Sequence, residues 1–250
     1  MRVGALTGLI VVFCGANVRA EDWGTIKAQI IWTGESIPDR ERINVTKDHN
    51  HCLSNGPLLS ERVLIDPKSK GIKNVVVWLA SADGTPLRVH PGRQKVPVAK
   101  IEIDQPLCQF NPRVVVLREG QSLTIKNSAP VAHSAVITGG KNNAGFNQLI
   151  PPGGSIELTG NKALKAEPKP LPLSCALHSW MSGLIGVFDH PYFAVSDELG
   201  MIEIKNAPAG ECKIFMYHEE FGWLHVDRTS RGQKITVPAN DTLDLGLIKK

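Results

Sequence analysis

Short apolar or alternating segments recur along the chain from residue 25 onward, and none of them has the periodicity of a helix. Glycine, proline, asparagine and aspartate separate these segments, as in proteins built from many short strands. Strands are predicted at 25–32, 63–65, 75–79, 100–104, 114–117, 122–127, 155–158, 171–173, 184–188, 193–195, 201–204, 212–218, 234–237 and 243–248. Segment 75–79 is apolar on both faces and is expected to be central in its sheet. The pattern predicts an all-β fold, a sandwich or a barrel.

The amino terminus has a different pattern. A basic start at Arg2 precedes an apolar run, and Val18-Arg19-Ala20 fits a small-x-small cleavage site. The run is too short to span a membrane. We therefore expect residues 1–20 to be a signal peptide and the mature protein to be periplasmic or secreted. After Asp189-His190 the sequence changes to short strand-like segments separated by acidic or glycine-containing turns. This change divides the rest of the chain into predicted domains 21–189 and 190–250.

Charge and cysteine content narrow the function classes. The net charge of +4 falls to +2 when Arg2 and Arg19 are removed, which argues against nucleic acid as a partner. An exported protein can form disulfides. We expect Cys52 to pair with Cys108, because both lie in turn-rich stretches, although the sequence leaves other pairings open. Cys212 lies in a strand-like run and is expected to be a buried thiol.

One short loop between two predicted strands carries three metal-binding side chains. Cys175, His178 and Met181 have the spacing C-x2-H-x2-M. Two histidines, one cysteine and a weak axial methionine form the blue-copper arrangement. His133 is the best candidate for the second histidine. The residues therefore predict a type 1 copper site, against the alternative of a buried cysteine beside a core methionine.

Two other clusters contain side chains that could bind a metal or take part in catalysis. His49, His51 and Cys52 lie in a polar stretch that is either a second metal site or, as we expect, an exposed loop tied by a disulfide. Near the carboxyl terminus a second cluster contains three histidines and two glutamates: His190, His218, His225, Glu219 and Glu220. No hydrolase, metalloprotease or phosphate-loop motif accompanies them, so we expect no enzymatic activity.

The order of these motifs resembles the cupredoxin family. The resemblance covers roughly residues 23–189 and includes Glu119-Gly120, Asn127, Pro151-Pro152-Gly153 and an amicyanin-like ligand loop. It implies a cupredoxin-like Greek-key β-sandwich with His133, Cys175, His178 and Met181 as copper ligands. Segment 108–215 is similar to secreted, planctomycete-type, methylamine-utilisation-like proteins. The tail resembles a carboxypeptidase-regulatory-like module, which implies a small transthyretin-like β-sandwich.

The resemblance also implies roles for individual residues. His178 is expected to reach the surface and to serve as the electron port. Trp180 is expected to shield the metal, to form part of a docking patch or to belong to the core. Ser134 stands where the family often has an asparagine that links the two ligand loops, and a serine is expected to make one such hydrogen bond.

The resulting function hypothesis is an exported type 1 copper protein that acts in electron transfer with an unknown redox protein. The alternative is a cupredoxin-fold surface or carbohydrate-binding module, with a vestigial or copper-storage site and a polysaccharide as partner. A polysaccharide-active enzyme that uses the tail is the least favoured hypothesis, because the sequence supplies no catalytic carboxylate constellation.

Overall fold

The computed structural model describes residues 23–224 and 232–250, and in this part of the chain the fold is all-β, as predicted. Sixteen strands are present there: β1 (Trp23–Ile31), β2 (Val76–Ser81), β3 (Ile101–Ile103), β4 (Val114–Arg118), β5 (Leu123–Lys126), β6 (His133–Ile137), β7 (Phe146–Ile150), β8 (Ser155–Leu158), β9 (Leu171–Ser174), β10 (Ser182–Phe188), β11 (Phe193–Val195), β12 (Met201–Pro208), β13 (Gly210–His218), β14 (Gly222–Leu224), β15 (Gln233–Val237) and β16 (Thr242–Lys249). One helical turn, α1 (His49–Cys52), lies between β1 and β2. The predicted signal peptide, 1–20, lies outside the described residues. Across the described ranges, no helix has the length and apolar character needed to cross a membrane.

The first unit is a sandwich of two sheets. One sheet has the order β4-β10-β9-β6-β7, and the other has the order β3-β5-β8. Inward-facing residues of both sheets, such as Ile125, Leu117 and Ile137, form one buried cluster. Alternate residues of a strand face opposite sides of its sheet, so the short alternating segments of the sequence supply this core.

The second unit is also built from two sheets. Their orders are β12-β1-β16 and β11-β2-β13-β14, with β15 paired to β13. Strand β2 is central, as its apolar faces predicted, and residues such as Ile30, Leu79 and Ile214 form a separate core. The unit therefore combines strands from both ends of the described chain.

The strand pairing contradicts the predicted division into domains 21–189 and 190–250. Strands β1 and β2 precede residue 189, yet β1 pairs with β12 and β16, and β2 pairs with β11 and β13. The first unit, β3–β10, is thus inserted into the second unit. Local pattern identifies a strand but not its partner, which here lies more than 100 residues away.

Four strand assignments also differ from prediction. Segment 63–65 forms only an isolated bridge from Ile65 to Ile72, because no neighbouring strand extends the pairing. His133 begins strand β6, whereas it was expected in a loop past a strand end. Strands β7 and β14 were not predicted, since β7 exposes most of its residues and β14 has only three.

A cluster of aromatic rings joins the two units. Trp78 of β2 stacks on Phe188 of β10 at 5.3 Å between ring centroids, and on Phe215 of β13 at 5.4 Å. Trp78 and Phe188 are both buried among the apolar side chains of this junction. Large aromatic side chains contribute strongly to burial energy, so the junction holds the units together.

Candidate metal centre

Strand order brings the four predicted ligands to one end of the first unit. His133 is the first residue of β6, and Cys175 immediately follows β9. These strands are antiparallel neighbours, with Val136 opposite Ser174, so the two ligands lie side by side. The loop from β9 to β10 then supplies His178 and Met181.

Cysteine and histidine donors converge at distances that suit a shared ion. The Cys175 Sγ atom lies 4.0 Å from His133 Nδ1 and 3.8 Å from His178 Nδ1. All three donor atoms lie within 4.8 Å of one another. When one metal ion binds both a sulfur and a nitrogen donor through bonds of ~2.0–2.3 Å, the two donor atoms lie about 3.6–3.8 Å apart in trigonal or tetrahedral geometry. The spacing therefore fits one metal ion with little rearrangement.

The centre is closed to solvent. His133 and His178 are 0% exposed, and Cys175 is 3% exposed. Met181 is buried in the same apolar cluster as Cys175, and its backbone N–H donates to the His178 carbonyl at 2.9 Å. The role of Met181 as an axial ligand stays a prediction. Burial keeps water from competing for the donors.

Burial also keeps both histidines in the neutral form that a metal requires. Burial first, and then the neighbouring His178, lower the pKa of His133 to about 4. Burial likewise lowers the pKa of His178, although the Asp48 carboxylate opposes that change. Metal ligation needs deprotonated imidazole, so the site is prepared to bind near neutral pH.

The second nitrogen of each imidazole differs in its surroundings. His178 Nε2 donates to Asp48 Oδ2 at 2.8 Å, which leaves Nδ1 as the lone-pair nitrogen facing the sulfur. His133 Nε2 is buried and has no hydrogen-bond partner among the described residues. An unsatisfied buried polar atom costs about 1–3 kcal/mol. Ligation through Nδ1 would leave Nε2 protonated and still without a partner, so the assignment of a metal rests on the converging donors and not on this atom.

Ser134 links the two ligand segments. Its backbone N–H donates to Cys175 Sγ at 3.3 Å and its hydroxyl donates to the same sulfur at 3.6 Å. The hydroxyl oxygen also accepts from the Ala176 N–H at 2.8 Å. Serine was expected to make one bridging hydrogen bond, and its hydroxyl makes two. Donors to the sulfur stabilise a thiolate.

Part of the long connection between β1 and β2 covers His178. We call this segment, residues 48–52, the cap. Cys52 forms a disulfide with Cys108, as expected, and the His51 ring lies 2.9 Å from the Pro106 carbonyl through Nε2. Asp48, in a left-handed conformation with φ of 52°, supplies the carboxylate beneath His178. The cap closes the end of the site at which a ligand histidine was expected to emerge.

The cap contradicts one expectation and adds a contact that was not predicted. His178 does not reach the surface, so it is not an exposed electron port. Asp48, in the polar stretch before Cys52, had no predicted role. The only local signal was a cluster of acid, histidine and cysteine. Cys52 and Cys108 also lie near a His178 nitrogen, but their disulfide occupies both thiols.

Trp180 belongs to the same cover. Its ring is edge-on to His178 at 5.1 Å, and its Nε1–H donates to the Cys108 carbonyl at 3.1 Å. The ring is partly buried against the core. Of the three roles considered for Trp180, shielding the ligands fits these contacts best.

The cluster of histidines and glutamates near the carboxyl terminus has structural contacts instead of a catalytic arrangement. His190 is buried and its Nε2–H donates to the Leu79 carbonyl at 2.9 Å. His218 is buried and accepts backbone N–H groups through Nδ1. Glu219 pairs with Arg113. His225 lies outside the described residues.

Among known proteins, only solved structures are similar to this chain. No protein-family profile and no curated protein matches the sequence. The copper-containing nitrite reductase of Thermus scotoductus is similar over 40% of this chain and 25% of its own length, at 18% identity and a TM-score of 0.32. A purple cupredoxin of Nitrosopumilus maritimus is similar over 35% of this chain and 98% of its own, at 19% identity and a TM-score of 0.29.

Amicyanin of Paracoccus versutus is similar over 37% of this chain and 85% of its own, at 14% identity and a TM-score of 0.31. The chain spans only a quarter of the nitrite reductase. Similarities of this size do not assign a function. The chemistry of the centre therefore has to be argued from its own donors, their spacing and their burial.

Proposed function

We propose that this protein is an exported type 1 copper protein that transfers single electrons, with His133, Cys175, His178 and Met181 as ligands. The observation that carries the proposal is the convergence of a buried cysteine sulfur and two imidazole Nδ1 atoms, at 3.8 and 4.0 Å. Thiolate and thioether donors favour copper over hard cations, and imidazole suits copper as well. Bound copper would supply a one-electron Cu(II)/Cu(I) couple.

The chain's own residues supply a rigid and water-free setting for that couple. Strands β6, β9 and β10 hold the ligand segments, and Ser134 ties two of these segments together. Asp48 orients the His178 ring. Because the protein would hold one ligand geometry for both Cu(II) and Cu(I), the ligands would rearrange little during electron transfer.

The closed ligand shell favours electron transfer over substrate chemistry. All four side chains of the proposed ligand set are buried, and the cap and Trp180 cover the histidine side. A substrate would need an open coordination position, as catalytic metal sites have. An electron can pass through the surrounding protein to a redox partner without such a position. The proposed export agrees with the disulfide, since disulfides persist in oxidising compartments.

Adding Cu(II) to the purified metal-free protein tests the proposal. We expect one equivalent to bind and to produce an intense blue thiolate-to-copper band, which a mild reductant bleaches and an oxidant restores. Cys175→Ala should remove the band, whereas Cys212→Ala, which removes the other buried free thiol, should keep it. A colourless copper-loaded protein, or a protein that binds only zinc, would refute electron transfer by a type 1 site. Glycan binding by the metal-free protein would favour the alternative function.

A further inference from the structure

A buried ion pair connects the second unit to the ligand loop. Glu219 lies in the turn between β13 and β14, and Arg113 immediately precedes β4 of the first unit. Glu219 Oε2 accepts from Arg113 Nε at 3.0 Å and from one terminal guanidinium nitrogen at 2.7 Å. The two side chains are only 7% and 14% exposed, so solvent screens their charges weakly.

Arg113 also contacts the point where the ligand loop rejoins the sheet. The same guanidinium nitrogen donates to the Ser182 hydroxyl, and Ser182 directly follows Met181. The Arg113 carbonyl accepts from the Leu184 N–H at 3.0 Å. A Cβ at Gly183 would lie 2.4 Å from that carbonyl oxygen, so the two backbones approach closely here. Arg113 thus holds the end of the ligand loop by its side chain and by its backbone.

We infer that Glu219 is a positioning residue for the metal centre: it holds Arg113 against Ser182 and so fixes the end of the loop that carries Met181. This inference rests on the proposed function and gives the second unit a role in it. A guanidinium can make bidentate or forked hydrogen bonds in one plane, which lets Arg113 serve Glu219 and Ser182 together. Without the carboxylate, the buried guanidinium loses its charged partner among the described residues, and an unpaired buried charge favours a position closer to water.

Adjacent acidic residues provide a matched pair of variants. Glu220 has the same charge, is 44% exposed and pairs with Arg62 at 3.0 Å. Glu219→Gln and Glu220→Gln therefore remove the same charge one residue apart, but only the first removes the charge that pairs with Arg113. The first readout is amide exchange in the metal-free protein at Met181, whose N–H donates to the His178 carbonyl.

In Glu219→Gln we expect the Met181 amide to exchange about tenfold faster and copper to bind about tenfold more weakly, with a shifted blue band. In Glu220→Gln we expect exchange, affinity and band to match the wild type. Equal exchange at Met181 in all three proteins would overturn the inference, whether or not copper binds. Faster exchange in a protein that never turns blue would uphold the positioning role and refute the proposed function.

A double variant covers the case in which Glu219→Gln fails to fold. Arg113→Met with Glu219→Leu removes both charges and leaves apolar side chains at the interface, an exchange that folded proteins tolerate. The double variant also lacks the guanidinium that holds Ser182. We expect it to unfold at a temperature close to that of the wild type while Met181 exchange remains fast. A double variant with wild-type exchange would overturn the inference.

Discussion

Replacing Asp48 by asparagine changes the charge beneath His178 and little else. The Asp48 carboxylate accepts from His178 Nε2 at 2.8 Å, and the ring itself is fully buried. Residue 48 has φ of 52°, a conformation that asparagine adopts more readily than most side chains. The backbone carbonyl of residue 48 still accepts from the N–H groups of His51 and Cys52 in the variant. Asp48→Asn therefore isolates the carboxylate charge.

The size of the effect follows from the hydrogen bond that changes. A hydrogen bond to a charged group contributes about 1.5–3 kcal/mol, and one between neutral groups contributes about 0.5–1.5 kcal/mol. The two ranges differ by about 1 kcal/mol at their lower ends and by about 1.5 kcal/mol at their upper ends. The Asp48 side chain is 27% exposed, so the loss should lie near the lower end, at about 1 kcal/mol. That free energy corresponds to about a fivefold increase in the copper Kd. The Kd is expected to rise in the variant because the Asp48 carboxylate increases the basicity of the His178 ligand nitrogen and fixes the tautomer of the ring.

Competition titrations with a chelator of known copper affinity measure the change in Kd. Asp189→Asn is the control, because Asp189 is also a carboxylate beside a histidine, 4.0 Å from His190, but is 68% exposed and lies at the opposite end of β10. We expect that control to leave the Kd unchanged. An Asp48→Asn protein whose Kd stays within twofold of the wild type would refute the assignment of Asp48 as the partner that orients His178.

Three further variants or conditions test other parts of the structure. The Cys52→Ala and Cys108→Ala double variant opens a loop with a sequence separation of 56 residues, so urea unfolding of the metal-free protein should show a loss of about 4 kcal/mol, against about 1 kcal/mol for Cys212→Ala. Equal losses would contradict this. Burial lowers the pKa of His218 to about 4 in the folded state, whereas the unfolded chain takes up its proton near the ordinary value of 6.5. The stability that this histidine contributes is therefore present above pH 6.5 and is lost as the pH falls toward 4, by about 2 kcal/mol at pH 5; a ring whose NMR signals titrate near pH 6.5 in the folded protein would contradict this. Ser134→Ala removes a hydroxyl that donates to the cysteine sulfur, so voltammetry of the copper-loaded protein should give a reduction potential lower by about 20–60 mV, and an unchanged or higher value would contradict this.

The sequence contained enough information to predict the class of fold and to select candidate ligands. Alternating segments such as 122–127 have one apolar face, and that property predicts a strand without knowledge of its partner. Cys175, His178 and Met181 are close in sequence, so their loop could be identified directly. His133 was the best candidate for the second histidine, and the cupredoxin resemblance implied the same residue. The pairing of β6 with β9 brings the start of β6 to the same end of the sheet as Cys175.

Long-range contacts could not be predicted in the same way. Asp48 lies 130 residues from His178, and no local pattern distinguishes it from an ordinary loop aspartate. The polar start of β6 at His133-Ser134 was interpreted as loop, because buried polar side chains interrupt the apolar pattern by which buried strands are recognised. The membership of β1 in the second unit depends on pairing with residues 201–208 and 242–249, which its own sequence does not specify.

The parallel pairing of β1 with β16 affects the order in which the protein can fold. Thr25 lies opposite Thr242, so β1 has to wait for nearly the whole chain to be synthesised before this pair can form. The sheets of β3–β10 need no strand beyond residue 188 and can close earlier. During that interval the edges of β1 are open to mispairing with other chains. Newly made protein is therefore vulnerable to aggregation through β1 at a stage when the first unit is already complete.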